Sequence, residues 1–373
     1  MKADDLQRLH LYHSPQYPGF TCWCGLWTMP DGSAFCSFTQ ATGPFRDRPQ
    51  APAEVRRRLE WPPEGHGEEY DMTGLDLANV HLRSSDGGQG WTVIGSDPFR
   101  SCMNGATGEA EVGLPDGSVV RGVWGPYLPY DEVPQDGYLQ RSVDLGASWS
   151  APEPINRDPT AAFWPKRLRV LRDGRLLAGG GYFVRHPERD TRSGWFADFF
   201  PALSVSADGG RTWEGAIPVV SVDQRRDYVY TEEFDWVELP GGELLIVLRA
   251  GVAEGRLQTC LRPAGRSWQT GPVAPNGLPY SGHPELLLTR EGCLLHLATT
   301  GISWSRDQGR TWNDLALDDG LAELRPGPAT PYYPKAVQLP GGEVLVVGHL
   351  GGDDGYGRVD QSIVGLRFVL AAR

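Results

Sequence analysis

The sequence predicts an all-β protein folded as one six-bladed β-propeller, in which each blade is a sheet of four antiparallel strands. Two repeated elements support this prediction: a tight glycine turn that occurs six times, and a Ser-x-Asp-x-Gly-x-Thr-Trp motif with four good copies. The composition agrees, because 48 glycines, 31 prolines and 13 tryptophans in 373 residues favour many short strands joined by tight turns. A closed ring of this length can form a single domain over residues 1–373.

The first element is a turn flanked by two apolar, strand-like runs. Asp-Gly or Gly-Gly between such runs is the strongest local signal for a hairpin, because glycine adopts positive φ without a steric cost. Successive turn glycines are 50 to 85 residues apart, which leaves room for four strands in each repeat. The six copies are Met29–Gly32, Leu114–Gly117, Leu171–Gly174, Leu239–Gly242, Arg290–Gly292 and Leu339–Gly342.

The second element alternates with the first along the chain. Its aspartate is expected to accept hydrogen bonds from turn N–H groups, and its tryptophan is expected to pack between strands. We therefore expect the acids of this motif to stabilise the fold rather than to act in catalysis. The good copies are Ser84–Trp91, Ser142–Trp149, Ser206–Trp213 and Ser305–Trp312, and Leu261–Trp268 is a worn fifth copy.

The sixth blade has no copy of the motif and needs a strand from elsewhere. Its third strand is predicted at Ser362–Leu370, and Arg8–His13 is the expected fourth strand. Pairing these two ends of the chain would close the ring and remove exposed strand edges. The first repeat is the longest, and its Pro-rich and charged insertion at about residues 43–80 is expected to form a long loop over one face.

Charge and hydropathy limit the classes of partner. The formal net charge of −12 argues against general binding to nucleic acid or to an anionic membrane, since both need a positive field. No apolar run reaches membrane-spanning length, and the N-terminal residues lack the apolar core of a signal peptide, so a cytoplasmic location is the default expectation. The cysteines lack zinc-site spacing, and neither a metal nor another cofactor is expected.

Candidate site residues follow from propeller geometry, in which the first strand of each blade lines the central channel and begins at the upper face. The position nine residues before each turn glycine marks that beginning. In blades four, five and six it is occupied by Glu233, His283 and Tyr333, and in the other blades by Trp23, Gly108 and Pro165. We expect the chemistry of the protein at this end of the channel, where the six first strands meet.

The repeated motif resembles the Asp-box of the sialidase superfamily, whose members are six-bladed propellers. Glu233 followed by Arg249 in blade four looks like that family's glutamate and arginine. Tyr333 stands at the offset of the family's nucleophilic tyrosine but lacks the serine that follows it there. Asp71, before the first motif, resembles the acid/base aspartate with a one-residue slip.

The resemblance implies hydrolysis of a glycoside with retention of configuration. Glu233 would take the proton of Tyr333, because a neutral phenol with a pKa near ~10 is a weak nucleophile. The phenolate would attack the anomeric carbon, and Asp71 would protonate the leaving oxygen and later activate water. Glu233 and Arg249 could also be a plain buried ion pair, and Tyr333 an aromatic packed at the axis.

The match is incomplete where sialidases grip the sialic-acid carboxylate with three arginines. Only Arg249 has a counterpart here, since blades one and five have no arginine at the corresponding positions. Arginine provides a bidentate geometry that lysine reproduces poorly. Arg167, Lys335 and His283 are expected to contribute to substrate binding near the channel mouth, but ordinary sialic acid is not the expected substrate.

Three functions remain open from the sequence. The first is a sialidase-like exo-glycosidase that removes a terminal sugar, acidic sugars included, from an oligosaccharide or glycoconjugate. The second is a polysaccharide lyase that uses His283 or Tyr333 as base on a glycan containing uronic acid. The third is a propeller that binds glycan or protein without catalysis. Glu109 is also expected to bind substrate, and Glu109 and Glu285 are spare carboxylates that could serve a two-carboxylate glycosidase.

Overall fold

The six glycine turns predicted from the sequence each join the first two strands of a separate sheet. In every turn the glycine N–H donates to the carbonyl three residues earlier at 2.9–3.0 Å, and the glycine has a φ between 75° and 103°. Glycine adopts this left-handed backbone without a steric cost. The computed structural model describes residues 1–16, 19–44, 47–54, 73–98, 110–123, 137–158, 160–184, 198–225, 230–250, 255–278, 282–298, 301–317, 332–349 and 362–371.

The strands form six antiparallel sheets, which are the blades and are numbered in chain order. Blade one contains Gly19–Thr28, Ala34–Thr42, Asp76–Ser84 and Thr92–Pro98. Blade two contains Glu111–Gly113, Val119–Val123, Tyr138–Ser142 and Glu153–Pro154. Blade three contains Ala161–Val170, Leu176–Val184, Asp198–Ser206 and Glu214–Pro218, and is followed by a 3₁₀ helix, Val222–Gln224.

The remaining blades follow the same order. Blade four contains Tyr230–Glu238, Leu244–Ala250, Leu257–Ala264 and Ser267–Gln269, with Ala274–Pro275 added beside its third strand. Blade five contains Glu285–Leu288, Leu294–Ala298, Gly301–Ser305 and Asn313–Asp314. Blade six contains Tyr332–Gln338, Val344–His349, Ser362–Ala371 and the N-terminal strand Lys2–His13. Within the described ranges, no helix is long and apolar enough to cross a membrane.

The N-terminal strand closes the ring, as the sequence predicts. Lys2–His13 pairs antiparallel with Ser362–Ala371, so the first and last strands of the chain lie side by side in blade six. The strand is longer than the predicted Arg8–His13, and at its start Ala3 N–H donates to the Ala316 carbonyl of blade five at 2.9 Å. The predicted six-bladed propeller is therefore confirmed.

The predicted blade-one insertion is only partly described. Residues 55–72 lie outside the described ranges, and the third strand of the blade already begins at Asp76. The assignment of residues 1–373 to one domain stays a prediction.

Neighbouring blades pack face to face through the apolar side chains that alternate along their strands. Between blades three and four, Phe234 and Trp236 are buried in one apolar cluster with the strands of blade three. A Cβ at Gly179 would come within 2.2 Å of the Trp236 ring, so the absence of a side chain there lets the two sheets approach. Burial of a side chain such as Phe234 contributes about 1.5–3 kcal/mol.

The Ser-x-Asp motifs form turns between the third and fourth strands of their blades. In blade three, Asp208 accepts hydrogen bonds from Thr212 N–H at 2.8 Å and from the Thr212 hydroxyl at 2.6 Å. The Ser206 hydroxyl also donates to Asp208, at 2.8 Å. Hydrogen bonds of the same kind lower the pKa of Asp144 in blade two and of Asp307 in blade five to about 2. These acids are occupied by their own turns, as expected for residues that stabilise the fold.

Replacing Asp208 with alanine should lower the free energy of unfolding by about 1–3 kcal/mol, because the turn loses hydrogen bonds to an ionised acceptor. Urea denaturation measures the change. Glu214→Ala is the matched control, since Glu214 is an exposed acid that begins the next strand, and it should change stability by less than about 0.5 kcal/mol. Equal stability of the two variants would contradict the assigned role of Asp208.

Candidate active site

The first strands of four blades are bulged at the place where the sequence predicts the site. The pairing register with the second strand shifts between Cys22 and Gly25, Pro165 and Arg167, Tyr230 and Phe234, and Tyr332 and Lys335. A bulge bends the strand and re-aims its side chains. Trp23 and Tyr333, inside two of the bulges, have φ angles of 53° and 49°, which is strained backbone for bulky residues. Such strain persists where the surrounding structure enforces it, and it clusters at functional sites.

Tyr333, Glu233 and Arg249 lie in contact at this end of the channel. The Tyr333 hydroxyl donates to Glu233 Oε1 at 3.1 Å, and Arg249 Nη1 lies 3.3 Å from the same hydroxyl oxygen. Arg249 Nη1 also donates to Glu233 Oε2. Three residues singled out from the sequence, on blades four and six, thus form one connected group.

The charges around Glu233 favour its ionised form. Burial alone would raise the pKa of this carboxyl, but the positive charges of Arg249 and Lys166, with hydrogen bonds from Arg249 and Tyr333, hold it below its usual value. Glu233 in turn raises the pKa of Arg249 against the effect of burial. An ionised carboxylate that accepts the hydrogen bond of a phenol is the arrangement a general base requires.

A second arginine, Arg256, belongs to this charged group and was not among the residues expected from the sequence. It is 1% exposed, and its Nη1 donates to the Gly282 carbonyl. Burial, and then the like charge of Arg249, lower the pKa of Arg256 to about 9. Hairpin register could have found it: Leu248 pairs with Leu257, so Arg249, one residue after Leu248, and Arg256, one residue before Leu257, occupy the next positions along the hairpin.

Pro165, Glu233, His283 and Tyr333 are each followed, two residues later, by a charged residue. These four charged side chains form a buried cluster that we call the ion belt. Its members are Arg167, Asp235, Glu285 and Lys335, one from each of blades three to six, and all are 0–4% exposed. Arg167 donates to Glu285 at 2.6 Å and lies 3.4 Å from Asp235. Lys335 lies 3.7 Å from Glu285. The charges of the belt are therefore compensated inside the protein.

The carboxylates of the ion belt also bind the backbone of the next blade. Asp235 of blade four accepts a hydrogen bond from Leu286 N–H of blade five at 2.7 Å. Glu285 of blade five accepts one from Ala336 N–H of blade six at 2.9 Å. Burial would raise the pKa of Asp235, but the positive charges of Arg169 and Arg167 hold it below its usual value. The belt thus fixes the first strands of neighbouring blades against each other.

The ion belt contains two of the residues that the sequence predicts to bind substrate. The charged ends of Arg167 and Lys335 contact buried carboxylates, which favours a structural role for both over direct substrate binding. His283 is buried as well, but its ring centroid lies 5.8 Å from that of Tyr333. His349, on the second strand of blade six, lies 6.1 Å from Tyr333 by the same measure.

Two of the expected site residues have no described position. Asp71, the expected acid/base residue, and Glu109, a spare carboxylate, lie outside the described residues. Their roles stay predictions from the sequence. Within the described part of the chain, no group of three or more His, Cys, Asp or Glu side chains could hold a metal ion.

Similar folds occur among solved structures. No family model matches the sequence, and no curated protein sequence matches it. A protein of unknown function from Dyadobacter fermentans is 18% identical, with a TM-score of 0.66 over 99% of this chain and all of its own. A Hadza microbial sialidase is 18% identical, with a TM-score of 0.59 over 94% of this chain and 66% of its own.

A third similar structure is an alpha-L-arabinofuranosidase from Fusarium graminearum bound to an iminosugar inhibitor. It is 12% identical to this chain, with a TM-score of 0.59 over 98% of each chain. At these identities the similarity concerns the fold. The chain therefore shares the six-bladed propeller on which glycoside hydrolases of more than one specificity are built.

Replacing Arg167 with methionine should lower the free energy of unfolding by about 3–5 kcal/mol, because two buried carboxylates lose a compensating charge. The matched control is Lys2→Met, whose side chain is 49% exposed and lies 2.5 Å from Asp4, which is 40% exposed. An exposed pair of this kind contributes at most about 1 kcal/mol. Urea denaturation of both variants measures the difference, and equal losses would contradict the structural role of the ion belt.

Proposed function

We propose that the chain is a glycoside hydrolase of the sialidase type, which removes a terminal sugar from an oligosaccharide or glycoconjugate and uses Tyr333 as its nucleophile. The observation that supports this most is the hydrogen bond from the Tyr333 hydroxyl to Glu233 Oε1 at 3.1 Å. Nucleophile and base within hydrogen-bond reach are the signature of covalent catalysis. The similar folds of a sialidase and an arabinofuranosidase agree with a glycosidase.

In the first step Glu233 takes the phenolic proton as the Tyr333 oxygen forms a bond to the anomeric carbon. The glycosidic bond breaks, and the leaving oxygen receives a proton from a general acid, the role we propose for Asp71. In the second step water, deprotonated by the same residue, displaces the tyrosine oxygen and the phenol regains its proton. Arg249, 3.3 Å from the phenolic oxygen, lowers the cost of the negative charge that develops there.

The proposed substrate is a sugar with an acidic group, but not ordinary sialic acid. Three cationic side chains, Arg249, Arg256 and Lys166, act electrostatically on the single carboxylate of Glu233 or on its partners. A site with this excess of positive charge favours an anionic ligand. Of the three arginines with which sialidases bind the sialic-acid carboxylate, only Arg249 has a counterpart at the corresponding position, so we propose a different acidic sugar, such as a uronic acid.

Tyr333→Phe should lower kcat/KM on the best substrate by at least about 10³-fold, because the reacting oxygen is absent while the ring remains. A panel of 4-methylumbelliferyl glycosides, neutral and acidic, identifies the substrate by fluorescence. Tyr12→Phe is the matched control, since the Tyr12 hydroxyl donates to Gln40 at 2.6 Å in the packing of blades six and one. A Tyr333→Phe variant with native activity would contradict the proposed nucleophile.

The products of a uronic-acid oligosaccharide separate hydrolysis from the other functions. A glycosidase adds water, whereas a lyase forms an unsaturated uronide that absorbs in the ultraviolet. Incubation in H₂¹⁸O followed by mass spectrometry should show one ¹⁸O per bond cleaved. An unsaturated product without ¹⁸O would instead establish a lyase, and binding without turnover of any panel member would establish a non-catalytic propeller.

Arg249→Met should move the acidic limb of the pH–rate profile to higher pH. Arg249 helps to hold the pKa of Glu233 below its usual value, so removal of its charge raises that pKa. Because the base must be ionised, kcat/KM will then begin to fall at a higher pH as the solution is acidified. Measuring kcat/KM from pH 3 to 8 for both proteins tests this, and an unmoved or lowered limb would contradict the role of Glu233 as base.

A further inference from the structure

His283 occupies the channel position of blade five, next to the proposed nucleophile, and the proposed mechanism gives it no role. It is 1% exposed, and its ring lies 5.8 Å from that of Tyr333 between centroids. Its Nδ1 lies 3.5 Å from Lys335 Nζ. Among the described residues, its Nε2 is buried and has no hydrogen-bond partner. Leaving a buried polar atom unpaired is costly, so a native protein seldom does so without a reason.

The contact with Lys335 determines which ring nitrogen carries the proton. A lysine ammonium can only donate, so His283 Nδ1 must be the acceptor. Lys335 is itself held by the carboxylate of Glu285 at 3.7 Å. Burial, and then the positive charge of Lys335, lower the pKa of His283 well below its usual value, so the ring is neutral. A neutral imidazole whose Nδ1 accepts carries its hydrogen on Nε2, and the unpaired atom is therefore a donor.

We propose that His283, held in this tautomer by Lys335, donates a hydrogen bond from Nε2 to an oxygen atom of the sugar bound against Tyr333. His283 is then a residue that determines substrate specificity, and Lys335 is a positioning residue that acts through it. This inference rests on the proposed function, because it needs a sugar in the channel beside Tyr333.

The surroundings of His283 indicate the kind of oxygen. Lys335, Lys166, Arg167 and Arg256 all lower the pKa of His283 by their positive charge. This positive field stabilises a bound acceptor that carries a negative charge, and it disfavours the binding of a positively charged group. Blade five thus presents a neutral N–H donor inside a positive field. A carboxylate oxygen of a uronic acid is the acceptor that fits both features.

The tautomer is measured directly by ¹⁵N NMR of the histidine rings, with His283→Phe to assign the signals. In the native protein, Nε2 of His283 should have the shift of a protonated nitrogen and Nδ1 that of an unprotonated one. In Lys335→Met the constraint on Nδ1 is removed, and part of the population should change to the other tautomer. A native ring protonated on Nδ1 would overturn the inference, whether or not the Lys335 variant folds.

Steady-state kinetics test the donor itself on the best aryl glycoside. His283→Phe keeps the ring volume but loses the donor, and KM should rise about 10- to 100-fold while kcat changes less than about threefold. His283→Gln retains an amide N–H and should recover most of the loss. A uronide substrate should lose more than the matching neutral glycoside. A His283→Phe variant with native KM would overturn the inference.

The two proposals fail in different ways. If the native chain turns over no glycoside, the proposed function fails, and titration with methyl β-glucuronide and methyl β-glucoside then tests His283 by NMR. A change in the Nε2 shift with the glucuronide would support the donor, and no change with either sugar would overturn it. If turnover depends on Tyr333 but KM is insensitive to His283, the proposed function stands and only this inference fails.

Discussion

The ion belt is the constraint on which the channel end of the propeller depends. Opposite charges meet in the protein interior at the positions seven residues before four turn glycines, which are Arg167, Asp235, Glu285 and Lys335. Buried charges are costly unless each is compensated, so the inner strands can hold these residues only if the blades keep one relative position. The hydrogen bonds from Leu286 N–H and Ala336 N–H to belt carboxylates extend this requirement to the backbone.

The candidate site lies next to the ion belt along the same inner segments of the chain. Glu233, His283 and Tyr333 each precede a belt residue by two positions, and bulges in the strands of blades four and six re-aim the chain between the two layers. A tyrosine with a φ of 49° is strained on its own. The packing of His283 and the contacts with Glu233 and Arg249 hold it there, which is the kind of preorganisation that a catalytic nucleophile needs.

Much of the fold could be predicted because its signals are local. A turn glycine or a motif aspartate such as Asp208 makes its bonds within a few residues, so sequence spacing is enough to place it. The register of the first strands likewise predicted that Glu233 and Tyr333 would lie at one end of the channel. The register of the strands does not show which charged side chains of different blades contact each other. Arg167 and Lys335 were therefore expected to bind substrate, whereas the structure places them against the carboxylates of Asp235 and Glu285. No sequence motif marks Arg256, because its position depends on how the hairpin of blade four pairs.

In the proposed mechanism, the Tyr333 oxygen forms the covalent bond to the sugar. The most direct measurement uses the fluorinated form of the glycoside that the chain cleaves, which forms the covalent intermediate and slows its hydrolysis. Peptide mass spectrometry then locates the adduct. We expect one sugar per chain, attached to Tyr333 and absent from Tyr333→Phe. An adduct on Glu233 or on another carboxylate, or turnover without any covalent intermediate, would contradict it.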